Sequence, residues 1–79
     1  MNKMQIRLST PEAVREFVHI CSKYDCDVNL YDGRNVFDAK SLVSCLAIDL
    51  RKKLNVQAIS SNEDIVVNFI NDMKKFEVM

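Results

Sequence analysis

The apolar and polar positions divide the chain into strands and helices. From Lys3 to Leu8 they alternate, with Met4, Ile6 and Leu8 on one face and Gln5 and Arg7 on the other, the period of a half-buried strand. Ser9-Thr10-Pro11-Glu12 then starts a helix. With Thr10 as N-cap, Pro11 takes the first helical position, where its missing N–H costs nothing; with Ser9 as N-cap, Glu12 closes a capping box. In either case the helix runs to about Lys23. Val14, Phe17, Val18 and Cys21 fall at i, i+3, i+4 and i+7, with Ala13 and Ile20 widening the stripe. Arg15, Glu16, His19, Ser22 and Lys23 take the outer side.

Alternation returns from Cys26 to Tyr31, with Cys26, Val28 and Leu30 inward and Asp27, Asn29 and Tyr31 outward. Asp32-Gly33 signals a hairpin turn, and Arg34 to Asp38 forms the returning strand. Ser41 is placed as the N-cap of a short helix carrying Leu42, Val43 and Leu46 close together on one turn. Asp49 to Lys53 is a charged connection. Leu54 to Ile59 is a further strand, with Leu54, Val56 and Ala58 on one face. Ser60-Ser61-Asn62-Glu63-Asp64 supplies caps and first-turn acids for a last helix. Its apolar stripe is Ile65, Val66, Phe69, Ile70, Met73 and Phe76, and Lys74 and Lys75 close it, where the dipole favours cations.

The order strand–helix–strand–strand–helix–strand–helix, with one apolar face per strand, implies an α+β open-faced sandwich. Helices cover one sheet face and water the other. Seventy-nine residues without linker or repeat are read as one domain, 1–79. Eleven basic and eleven acidic side chains cancel, so neither nucleic acid nor an anionic membrane is an expected partner. No apolar run reaches the roughly 18 residues of a membrane span, and no signal-peptide core is present, so the expected location is the cytoplasm.

Chemistry-bearing residues are few. Cys21, Cys26 and Cys45 lack the spacing of a metal site and read as reduced, mostly buried small hydrophobes. No metal or cofactor is expected. His19, the sole histidine, lies on the wet face with no carboxylate or cysteine at helical spacing, and reads as a solvated side chain.

Two strings carry a family resemblance. Cys21-Ser22-Lys23-Tyr24 followed by Asp27-Val28-Asn29-Leu30 resembles an A-x-x-F segment followed by S/D-I/V-x-L/V. Asp38-Ala39-Lys40-Ser41-Leu42 is similar to N-A-K-S-I/L. Both belong to HPr, the histidine-containing phosphocarrier of the bacterial sugar phosphotransferase system, and the resemblance spans nearly the whole chain. It implies a four-stranded antiparallel sheet in the order 1-4-2-3, packed on three helices.

The family carries phosphate on the histidine of G-L-H-A-R-P-A. Here Thr10 stands in that position, followed by Pro11, with Glu12 in place of the arginine. A threonine hydroxyl needs an activating base to attack, and Glu12 repels the phosphate that a cation would balance. Histidine-type phosphotransfer, and enzymatic activity with it, is therefore not expected. The family's glycines after the short helix are replaced within Asp49 to Lys53, and Gly33 sits about one position early, departures that bear on loops. Leu42, Val43 and Ser44 replace bulkier residues and a glycine.

Ser41 remains. In the family this serine is the target of an ATP-dependent kinase, and its phosphorylated form docks on a transcriptional regulator. The resemblance thus implies a regulatory protein, modified on Ser41 and recognised through Leu42, Val43 and Leu46 by a kinase and by a regulator or a sugar-transport component. The other readings are an interaction module that kept only the fold, with Ser41 merely an N-cap, and a carrier using a different acceptor. Of Leu42, Val43 and Leu46, at least one is expected to pack inward, Val43 or Leu46.

Overall fold

A buried stripe of Met4, Ile6, Val28, Leu30, Leu54, Val56 and Ala58 runs across the sheet, because residues paired across antiparallel strands share a face. The structure, a computed structural model, describes residues 3–78. Its strands are β1 (Met4–Ile6), β2 (Asp27–Asp32), β3 (Asn35–Asp38) and β4 (Leu54–Ile59), and its helices are α1 (Pro11–Ser22), α2 (Leu42–Leu46) and α3 (Glu63–Met73). The sheet is antiparallel throughout, in the order β1-β4-β2-β3. The α+β sandwich with sheet order 1-4-2-3 and three helices is thus the observed architecture.

Local chemistry accounts for the ends of the elements. Thr10, not Ser9, caps α1: its Oγ1 accepts the Ala13 N–H at 3.0 Å, with Pro11 inside the first turn. Val14, Phe17, Val18 and Cys21 are the buried residues of that helix. The hairpin pairs Asp32 with Asn35 across Gly33-Arg34. Gly33 has φ +58° and Arg34 does not have a positive φ, which fits a turn whose first central residue must be left-handed. Asn62 caps α3 by accepting the Asp64 N–H at 3.0 Å.

Several boundaries differ from the alternation pattern: the first strand begins at Met4, β2 runs on to Asp32, and Arg34 falls in the turn ahead of β3. The first strand stops at Ile6, opposite Leu54 where β4 begins, and Leu8 stays buried outside the strand. The second strand begins at Asp27, with Cys26 half-buried ahead of it. The last helix tightens into a 3₁₀ turn at Lys74–Phe76, which buries Phe76 edge-on against Phe17. Lys75 Nζ in that turn meets Glu16 Oε2 of α1 at 2.6 Å.

The open sheet face carries polar side chains that bond to each other. Asn29 Nδ2 donates to Tyr31 Oη (3.3 Å), which donates to Gln57 Oε1 (3.2 Å), and Lys3 Nζ lies 4.2 Å from the Tyr31 ring centre. Gln57 is buried there, a position that alternation alone assigns to water.

Candidate functional site

The segment from Asp38 to Ser41 joins β3 to α2, and each of its residues is held by a separate bond. Ala39 is fully buried and donates its N–H to the Val28 carbonyl at 3.0 Å. Asp38 Oδ1 accepts the Lys40 N–H (2.9 Å), closing an Asx turn. The Asp38 carbonyl accepts the Ser41 N–H (3.0 Å) and the Cys45 thiol (3.6 Å). Lys40 reaches away from the loop, its Nζ donating to the Tyr24 carbonyl just beyond α1 at 2.6 Å. The Asp-Ala-Lys-Ser string therefore has a structural explanation residue by residue.

Ser41 is the N-cap of α2, with extended backbone at φ −99° and ψ 107°. Its Oγ accepts the Ser44 N–H at 3.4 Å and donates to Ser44 Oγ at 3.1 Å. The hydroxyl is half-exposed at the surface.

The expectation that Val43 or Leu46 packs inward is overturned. Leu42 is 36%, Val43 82% and Leu46 46% exposed. Cys45 and Ile48 fill the inward positions instead, because a helix of five residues turns only one narrow face to α1. With Cys45 facing in, Val43 and Leu46 are rotated outward, and Leu42 sits at the rim. An apolar patch beside a hydroxyl results.

The thiols below are not reactive groups. Burial, aided by the neighbouring Cys45, pushes the Cys21 thiol up to about 12, and burial, aided by Asp38, pushes Cys45 up to about 11. Both are protonated at neutral pH. Among the described residues no group of three or more His, Cys, Asp or Glu side chains is placed to hold a metal ion.

At the other tip, the Thr10 hydroxyl takes the Ala13 N–H, and Glu12 lies exposed in the first turn. His19 is exposed nine positions further along α1, which at about 1.5 Å per residue puts it some 13 Å from that tip. It cannot stand in for a side chain at Thr10. Neither the Lys40–Tyr24 link nor the Tyr24–Asp72 hydrogen bond has a periodic signature, and sequence reading missed both.

Set beside solved structures, the chain superposes on the crystal structure of HPr-C-His from Thermoanaerobacter tengcongensis with a TM-score of 0.72, covering 95% of this chain and 92% of that one. The fold is HPr-like. Sequence identity is 15%, so this likeness is one of fold. No protein-family model and no curated protein matches the chain. In this HPr-like fold no helix among the described residues is long and apolar enough to cross a membrane.

Proposed function

We propose that this chain is a regulatory protein-binding module related to the phosphotransferase phosphocarriers. It binds partners through the exposed turn of α2 and carries no phosphate on histidine. In this reading residues 1–79 act as one cytoplasmic domain, without a cofactor and without catalysis of its own. Ser41 is the modification site, and Leu42, Val43 and Leu46 are the contacts offered to a serine kinase and to a regulator or sugar-transport component. The supporting observation is the exposure of all three apolar side chains beside Ser41 Oγ. A phosphate there would add roughly −1.5 to −2 charges at the edge of the patch without entering the core.

A second reading draws on the engagement of Ser41 itself. Both bonds of its hydroxyl go to Ser44, as expected of a plain cap worth about 1 kcal/mol. The chain would then be an interaction module that is never phosphorylated.

Incubation with the HPr-family serine kinase and ATP, followed by mass spectrometry, separates the two. The proposed function requires one added phosphate on Ser41, none on Ser41→Ala, and about tenfold slower modification of Val43→Glu. Val43 is mostly solvated, so that variant should keep the wild-type stability to within about 0.5 kcal/mol. A wild-type chain left unmodified, or modified elsewhere, contradicts the Ser41 assignment.

A further inference from the structure

The two edges of the sheet are treated differently. On β1 the C-terminal segment closes the edge: Ile6 bridges Glu77, the Arg7 N–H donates to the Phe76 carbonyl (2.9 Å), and the Val78 N–H donates to the Gln5 carbonyl (3.1 Å). Among the described residues nothing pairs with the outer side of β3.

The register shows which groups this edge presents. In a hairpin closed by two residues, the flanking pair Asp32–Asn35 exchanges hydrogen bonds, and bonded pairs then alternate with non-bonded ones. Leu30–Phe37 is the next bonded pair, and the bond from the Ala39 N–H to the Val28 carbonyl continues the alternation. The backbone N–H and C=O of Val36, and the N–H of Asp38, therefore point away from the sheet. Val36 is 58% exposed and, like Tyr31 opposite it, lies on the open face.

We propose that this edge pairs antiparallel with the same edge of a second copy of the chain, centred on Val36. Edge-to-edge addition with a two-fold axis places Val36 opposite Val36, exchanging both of its outward hydrogen bonds. It places Arg34 of each copy opposite Asp38 of the other, an opposite-charge pair on each side of the centre. Both residues are exposed, and the bond from the Lys40 N–H occupies Asp38 Oδ1 and leaves Oδ2 for the guanidinium. The charge order selects the occupant. A parallel copy would set Arg34 against Arg34 and Asp38 against Asp38, whereas the antiparallel copy matches both. Short strands make this a weak, reversible and salt-sensitive association. It joins two four-stranded sheets through the backbone of β3 and not through Leu42, Val43 or Leu46, so it does not rest on the function proposed above.

Sedimentation velocity over a graded concentration series up to the millimolar range tests it. The wild type should shift from monomer toward dimer as concentration rises, and Arg34→Lys should follow it. Arg34→Glu sets like charges opposite at both flanks and should weaken association by about tenfold or more. Val36→Pro removes an outward N–H without costing a β2–β3 bond, and should abolish association. Circular dichroism checks that both variants fold, and Arg34→Glu decides the matter if the proline variant does not. A wild type that stays monomeric throughout, or an Arg34→Glu variant that dimerises as tightly as wild type, overturns the proposal.

Discussion

Phe17→Ala should cost about 3–5 kcal/mol, the largest loss of any single truncation in the chain. The ring is fully buried at the centre of α1 and meets Phe76 edge-to-face, with centroids 5.8 Å apart and an interplanar angle of 82°. Phe76 lies in the turn whose carbonyl ties down Arg7, so the cavity would also loosen the closure of the β1 edge. Small domains hold only about 5–15 kcal/mol in total, so this variant should lose much of its folded margin. Urea unfolding followed by circular dichroism measures it. A loss under about 1 kcal/mol would show that Phe17 is not a keystone of the core.

Stability should fall steeply above pH 9. Cys21, raised from 9.0 to about 12, and Cys45, raised from 9.0 to about 11, hold their protons in the folded chain at pH values where the unfolded chain has released them. A raised folded-state value contributes stability that is intact below the unfolded value and lost as pH climbs toward the folded one. The window is therefore about pH 9 to 12, with loss on the alkaline side. Tyr24 adds to it: burial and its hydrogen bond to Asp72 push its phenol above the usual range. Cys21 alone accounts for a few kcal/mol across that window, each unit being worth about 1.4 kcal/mol. Urea midpoints measured against pH under reducing conditions should decline through this range in the wild type, and less steeply in Cys21→Ala. A flat profile to pH 11 would contradict the buried placement of both thiols.

Most of the architecture was legible in the chain because each element carries its own period. The stripe Val14, Phe17, Val18 and Cys21 announced α1, and the alternation around Val28 and Leu30 announced β2. Gly33, with its positive φ, stands in the two-residue turn signalled by Asp32-Gly33. What failed was the rotation of α2. Five residues are too few to define a face by periodicity, and three apolar residues in one turn suggested burial where Cys45, a smaller and less emphatic hydrophobe, makes the contact. The choice between Ser9 and Thr10 as cap was also beyond pattern, because both offer a hydroxyl and only geometry shows which one the Ala13 N–H meets. Gln57 is a third such case. It is buried on the open face and accepts from Tyr31 on a neighbouring strand, a contact set by register rather than by local sequence.

The site divides along the same line. Ser41 as a cap was legible from its position before an apolar run, whereas the lysine that anchors the preceding loop to Tyr24 is a contact between residues sixteen apart. At the opposite tip, one residue type carries the functional reading. With Thr10 as the α1 cap and His19 nine positions away on the outer side, the proposed function leaves no imidazole at the position where the family resemblance sets the phosphoacceptor.

The most direct test of that reading is transfer from phosphorylated Enzyme I, the phosphotransferase donor, with intact mass measured before and after mild acid. The expected result is a chain that gains no phosphate, with or without Thr10→Ala. An acid-labile phosphate on His19, or an acid-stable one on Thr10, would show that the relay survives through another atom and would contradict the account.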